Sequence, residues 1–461
     1  MIGEIAIKEI EKQSEVLTEL AHKMWEEPET AYNEVKACQW TAEVLKANGF
    51  EVEIGAYNLP TAIKATWGSG HPIIGFLGEY DALPGMSQKI CTHKEAVVSG
   101  GAGQGCGHNL LGVSCLGGAL GAKAEMEAKG LKGTLVFYGC PGEEVLTGKA
   151  FMAREGAFKD IDCAFAWHGS SVNVVSMGTM TGLNSAIFHF KGRTAHAGGD
   201  PHNGRSALDA AEIMSVGANY LREHVTSDVR IHYVYKEAGT APNIVPDKAS
   251  VWYYVRALSR EAINDTYARL VKVAEGAAHM TETELEIEFL GGCYNTMPNP
   301  VLSDVAYESL NEIGTIQWTE EELKFATELN EASDIYEATK ASGMLNNGPL
   351  CTFIPPIARG NSYGSSDVGD VMNIVPTAFV CTPTYNLAAP GHSWQITACA
   401  GMSIGHKGML HGSKVLASAA VKLAEKPELV EQAKEAFAKQ MNGRTYLCPI
   451  PNEVPIPQPQ K

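Results

Sequence analysis

Five short stretches of the chain carry side chains able to bind a divalent cation or move a proton. In Gly105-Cys106-Gly107-His108-Asn109 a thiol and an imidazole stand two residues apart, among glycines that let the backbone fold closely around an ion. Alone, the same segment also fits a buried cysteine followed by an asparagine that caps a helix. Gly142-Glu143-Glu144 offers adjacent carboxylates, which point apart, so that one can hold a metal while the other faces a substrate as general base. The ordinary alternative is an acidic helix N-terminus stabilised by the dipole. His168 follows an apolar run ending at Trp167, and Glu79 and Asp81 follow another ending at Leu77. Pro390-Gly391-His392-Ser393-Trp394 places one more imidazole in a loop able to close over a site, with His406 and His411 as rivals on the helical segment beyond it.

Position argues against reading each stretch separately. In open α/β sheets ligands bind beyond the carboxyl ends of the strands, and three apolar runs deliver Glu79/Asp81, Glu143/Glu144 and His168 at such ends. Cys106, His108, Glu144, His168 and His392 then make a Cys/His/carboxylate set suited to two closely spaced Zn²⁺ or Mn²⁺ ions. Glu143 is left over as the base.

The elements that must position these residues can be read from periodicity. Apolar residues recur at three- and four-residue spacing from Ile5 to Trp25 and from Glu34 to Ala47, predicting two opening helices, the second closed by Gly49. Strand-like runs over Pro72 to Leu77, Thr134 to Tyr138 and Asp162 to Trp167 alternate with helical patterns such as Asn109 to Ala128, which predicts an α/β fold with a mostly parallel sheet. From Ser185 to Leu290 the order becomes β-α-β-β-α-β, a ferredoxin-like unit that can stand as an inserted domain and offer an edge strand to a partner. The segment Glu320 to Gly348 is helix-like and Pro349 to Gly369 loop-like. Alternation resumes with a strand over Thr377 to Cys381 and helices over Gly405 to Ala424 and Glu428 to Met441. The predicted division is 1–182 with 294–441, an insertion at 183–293, and a proline-rich tail at 442–461 that lies extended on the surface or is disordered.

Composition removes several functions. At 461 residues and a net charge of −17, the chain is too large for a single small module and too acidic to work by neutralising nucleic-acid phosphates or anionic membranes. No apolar run is long enough to span a bilayer, and charges interrupt the first twelve residues, so a cytoplasmic location is expected. The 11 cysteines contain no C-x-x-C pair, which argues for reduced thiols rather than a disulfide framework.

Six segments together resemble the aminoacylase/carboxypeptidase-type metallo-amidohydrolases: Gly78 to Pro84, Gly105 to Gly112, Tyr138 to Glu144, Ala195-His196-Ala197, Gly204 to Ala210 and Gly405 to Met409. The resemblance covers the chain to about Lys422 and leaves out Glu320 to Gly360 and the tail. It implies a metallopeptidase-like catalytic domain holding a metal pair, interrupted by a satellite domain that dimerises. By motif, Cys106, His108, Glu144, His168 and His392 fall on the family's metal ligands and Glu143 on its base. His196, Asn243 and Arg256 fall on satellite positions that contact substrate or oxyanion, in some relatives across the dimer. Many relatives carry Asp where Asn109 stands and Arg-Ala-Asp in place of Gly78-Glu79-Tyr80, so specificity cannot be copied from them.

The expected function is hydrolysis of the amide bond of an N-acyl glutamate with an aminobenzoyl-like acyl group, or of a related acyl-amino acid, by metal-bound water that Glu143 activates. A homodimer is expected, with a related second subunit as the other pairing. Three rivals stand: a dipeptidase or hydrolase of other N-acyl amino acids, a non-catalytic assembly subunit, and a redox or nucleophilic role for Cys106.

Overall fold

Two sheets, each with its own core, organise the computed structural model, which describes residues 3–460; the predicted domain edges at residues 1 and 461 lie outside it. Three helices open the chain: α1 (Glu4–Lys12), α2 (Ser14–Glu26) and α3 (Val35–Ala47). The helix expected over Ile5 to Trp25 is therefore two. The chain turns at Gln13, whose amide is tied to Glu9 and Asn48, each at 2.9 Å, while apolar spacing runs on across the break.

The large sheet takes β1 (Glu51–Ile54), β2 (Ile63–Ser69), β3 (Ile73–Glu79), β4 (Gly133–Cys140), β5 (Cys163–Ser170) and β6 (Val174–Ser176), with α4 (His108–Lys129) before β4 and α5 (Gly148–Arg154) before β5. The second sheet follows as β7 (Gly182–Lys191), α6 (Ala207–Leu221), β8 (Arg230–Glu237), β9 (Lys248–Ala257), α7 (Arg260–Thr281) and β10 (Glu284–Cys293). The chain then returns through α8 (Pro300–Ile313), α9 (Glu320–Glu331), α10 (Tyr336–Ala341), α11 (Val368–Met372), β11 (Thr377–Pro383), α12 (Trp394–Ala400), α13 (Ser403–Glu425) and α14 (Glu428–Met441).

Strand order in the large sheet is β1-β2-β4-β3-β5-β11-β6; β4, β3, β5 and β11 are parallel, and β1, β2 and β6 add antiparallel edges. The inner strands read as continuous apolar runs because both faces are covered. Phe76, Phe137 and Phe165 point into the core under α4 and α13, while their neighbours Leu77, Val136, Tyr138 and Ala166 point into a second core under α5 and α11. Periodicity does not reveal these three antiparallel strands. Glu51 and Glu53 break the apolar pattern of β1, β2 ends in Trp67-Gly68-Ser69, and β6 has only three residues.

The second sheet is wholly antiparallel, ordered β10-β7-β9-β8, as the β-α-β-β-α-β reading requires. Helices α6 and α7 cover one face through Ala210, Met214, Leu270 and Ala274, and β8 is left as an edge. The tail runs extended against the large-sheet body. Ile450 is buried there, Arg154 Nη1 donates to the carbonyls of Pro451 and Val454, both at 2.9 Å, and Gln460 N donates to Asn33 Oδ1 at 2.7 Å. Among the described residues no helix is long and apolar enough to cross a membrane.

Close approach of α13 to β5 depends on Gly412. A methyl group there would lie 2.1 Å from Trp167 Nε1, which donates to Thr382 Oγ1 at 2.9 Å. Gly412→Ala is expected to cost about 1–3 kcal/mol through overpacking, read as a lower urea midpoint of the full chain; an unchanged midpoint would show that the helix can move away freely.

Candidate metal centre

The carboxyl ends of the parallel strands meet the N-terminus of α4. Strand β3 ends at Glu79, with Asp81 just beyond, and β4 leads through Gly142 into a single 3-10 turn carrying Glu143 and Glu144. His168 lies within β5 rather than after it, because pairing with β11 extends that strand to Ser170. His392 comes from the loop between β11 and α12, and Cys106 and His108 from the turn into α4, of which His108 is the first residue. Asn109 does not cap this helix; its side-chain amide donates to Ala21 O and Ala400 O, tying α4 to α2 and α12.

His108 is fully buried at the centre. Its Nδ1 stands 3.0 Å from Asp81 Oδ1 and 3.8 Å from Glu144 Oε1; its Nε2 stands 3.5 Å from Glu79 Oε2 and 3.7 Å from Glu143 Oε2. His168 Nε2 lies 3.2 Å from Cys106 Sγ, and its Nδ1–H donates to Gly169 O at 2.6 Å. His392 Nε2 lies 3.7 Å from Glu144 Oε2. The side chains of Cys106, His108 and His168 bring potential ligand atoms within 4.8 Å of one another, as do those of Cys106, Glu144 and His392, the two groups sharing Cys106.

Without a cation this arrangement is electrostatically unfavourable. Burial pushes the Cys106 thiol up to about 12 and the Glu144 carboxyl up to about 7, the latter opposed by His108. Burial and then Glu79 hold the Glu143 carboxyl well above the usual range, and burial and then His108 push His168 down to about 4. His108 Nε2 and Glu144 Oε1 are buried with no hydrogen-bond partner, a condition that costs about 1–3 kcal/mol per atom. Thiolate, imidazole and carboxylate donors facing one space, two with orphaned atoms, fit a borderline divalent pair.

Six of the nine predicted site residues, Cys106, Glu143, Glu144, His168, Arg256 and His392, line one cavity of about 630 Å³, and His108 lies buried beside them. Arg256 reaches it from β9, with its guanidinium 5.4 Å from the Tyr254 ring and its Nε buried without a partner. His196 and Asn243 are not brought there within one chain. They sit on exposed paired loops, where Ala197 N donates to Asn243 O at 3.0 Å and Gly199 N donates to His196 Nδ1 at 2.9 Å. The rival His406 packs edge-on to His22 with ring centroids 6.1 Å apart, and His411 is buried in α13.

Three supporting residues escaped the sequence reading. Lys149 is fully buried and bonds Glu79 Oε1 at 2.5 Å and Asp367 Oδ1 at 2.6 Å. Burial opposes its charge, but Asp367 and Glu79 outweigh that and hold the ammonium above the ordinary lysine range. Glu34, also buried, accepts from Gly142 N at 2.8 Å and Thr61 Oγ1 at 3.1 Å; burial and then Asp81 push its carboxyl up to about 8. The one available signal was a lysine inside the otherwise apolar Gly148-Lys149-Ala150-Phe151-Met152.

Residues 179–281 match the family description "Peptidase dimerisation domain". The chain is 37% identical to one of the subunits of the p-aminobenzoyl-glutamate hydrolase of Escherichia coli K12, covering 98% of both chains. It is 28% identical to the human Xaa-Arg dipeptidase over 95% of this chain and 92% of that one. A Bacillus subtilis protein described as a dinuclear metal binding peptidase from the M20 family shares the fold, with a TM-score of 0.59 at 18% identity over 90% of this chain and 99% of that one. The resemblance read from the motifs is borne out.

Removing the Lys149 ammonium leaves Glu79 and Asp367 buried without their shared cation. Lys149→Met is expected to lose about 3–5 kcal/mol of stability, measured by urea unfolding; a loss below about 1 kcal/mol, the level of an exposed pair, would show that Lys149 does not neutralise this cluster.

Proposed function

This chain belongs to the M20 peptidase family, and we propose that it is a metal-dependent amidohydrolase cleaving N-acyl glutamates, an aminobenzoyl-like acyl group among them, or related acyl-amino acids. The observation that carries the reading is the convergence of Cys106, His108, Glu144, His168 and His392 on one space, with Glu143 beside them. In this reading those five side chains hold two divalent ions, Mn²⁺ or Zn²⁺. Such a pair, when bound, acidifies water toward neutrality and polarises the scissile carbonyl.

The chain's own groups do the rest. Asp81 accepts from His108 Nδ1–H and thereby turns Nε2 toward the site; the Gly169 carbonyl does the same for His168. Glu143, buried beside the candidate ligands with its carboxyl held above the usual range, takes a proton from the attacking water and passes it to the leaving nitrogen. Arg256, with an unpaired buried Nε in the same cavity, binds the carboxylate of the amino-acid half. His196 and Asn243, exposed on their own chain, reach the substrate of a second copy, where His196 donates to the oxyanion. That assigns the chain to a homodimer, with a related second subunit as the alternative pairing, and the division to 1–182 with 294–441, 183–293 and the tail 442–461. The free cysteines support a reducing, cytoplasmic setting.

A dipeptidase reading is favoured by one observation, the likeness to the human Xaa-Arg dipeptidase along nearly the whole chain. A panel of N-acyl glutamates, other acyl-amino acids and dipeptides separates the two: the proposal expects kcat/KM highest on the acyl glutamates, and preference for dipeptides ending in a basic residue would replace it.

Two substitutions test the assignments. Glu143→Ala is expected to keep its metal content and lose turnover by about 10²–10⁴-fold, measured by elemental analysis alongside a hydrolysis assay; normal turnover ends the assignment of the base. Arg256→Met is expected to raise KM at least about tenfold more for carboxylate-bearing substrates than for their amide analogues, a difference of about 1.4 kcal/mol; equal rises would remove Arg256 as the carboxylate anchor.

A further inference from the structure

Asp81 and Cys106, both at the candidate metal centre, are joined by a long loop that the proposed reaction does not use. Its base is closed by Leu83 pairing with Gly103 and by Ser87 N donating to Gly101 O at 3.0 Å. Its tip, Lys89 to Glu95, is built around Gln88, whose side chain is only 2% exposed. Gln88 Nε2 donates to Lys89 O at 3.0 Å, Cys91 Sγ at 3.4 Å and His93 O at 2.8 Å, and Gln88 Oε1 accepts from Glu95 N at 2.9 Å. Lys89 N donates to Glu95 O at 2.8 Å, and Thr92 Oγ1 donates to Glu328 Oε2 on α9 at 2.9 Å. The tip is thus a fixed turn, held from inside by one amide and from outside by a helix.

That turn sets alternate residues on one side. A thiol sulfur from Cys91, an imidazole nitrogen from His93 and a carboxylate oxygen from Glu95 come within 4.8 Å of one another, and none belongs to the catalytic set. We propose that Cys91, His93 and Glu95 form a separate cation site for a zinc-class divalent ion at the tip of the loop joining Asp81 to Cys106. Zinc at its usual bond lengths spaces tetrahedral donors about 3.5 Å apart, so side-chain rotations of about an ångström complete the shell, with water in the fourth position. The ion pair of Lys89 with Glu95 and the contact of His93 Nε2 with Glu95 Oε2 at 3.0 Å account for the carboxylate alone. The partly exposed Cys91 thiol stands beside them, accepting from Gln88 Nε2 and donating to His93 O at 3.2 Å. Cation binding uses all three donors.

The full chain and a Cys91→Ala/His93→Ala variant, both stripped with chelator and equilibrated at the same free zinc concentration, test this. The wild-type chain is expected to hold one zinc ion more than the variant by elemental analysis, with the variant's amide-hydrolysing activity retained. In the wild-type chain zinc is also expected to slow alkylation of Cys91 on the order of tenfold, read by peptide mass spectrometry. This second measurement stands whether or not the variant folds. Equal zinc contents in folded proteins, or an alkylation rate at Cys91 indifferent to zinc, overturns the proposal.

Discussion

One buried imidazole stands within 3.8 Å of four carboxylates, and the architecture around the cleft is organised by that concentration of charge. Four acids and a thiol at the bottom of an apolar sheet would repel one another and favour protonation unless positive charge is supplied. The fold supplies part of it as Lys149, whose ammonium is clamped between Glu79 and Asp367. Backbone amides supply more: Glu144 N donates to Asp81 Oδ2 and Lys149 N to Asp367 Oδ2, each at 2.8 Å. These devices stabilise Glu79, Asp81 and Asp367, which do not line the cavity. The groups facing it, Cys106, Glu143 and Glu144, keep their raised proton affinities, and His108 and Glu144 keep an unpaired atom each. The protein thus compensates the outlying acids itself and leaves the cavity-facing groups uncompensated.

The same division explains what could be read from the chain alone. The grouping of Cys106, His108, Glu143, Glu144, His168 and His392 was legible because few residue types offer such donor atoms, and because strand ends in an α/β sheet are where such residues collect. The inner strands were legible for a related reason: a strand buried on both faces has no polar residues to obscure it. Lys149, Asp367 and Glu34 were opaque. Each contacts partners 70, 218 or 108 residues away, and nothing local distinguishes a lysine inside an apolar helix from one that snorkels to solvent. The antiparallel strands β1, β2 and β6 were equally hidden, since partly exposed strands of three to seven residues carry charges and glycines that periodicity cannot sort from loop. Arg256 lay between these cases, its position given by a motif and its orientation only by the packing of β9 beside the cleft.

A whole-molecule charge of −17 bears on how a carboxylate substrate is retained. The overall field does not favour an anionic acyl-amino acid, so recognition must be short-ranged and desolvated. Arg256 has that character: it shares the cavity with the site residues, stands against the Tyr254 ring, and presents a buried nitrogen without an acceptor. It lies on the second sheet, whereas Glu143 and the five candidate ligands sit on strand β5, helix α4 and loops of the large-sheet body. On the proposed reading the spacing between amide carbon and carboxylate is therefore measured by the packing of one unit on the other. Selectivity among acyl-amino acids then follows from how firmly the second sheet is held, which places the extended tail, bonded to Arg154 and Asn33 and lining a gap shared with Trp252 and Tyr254 of β9, among the parts that fix it.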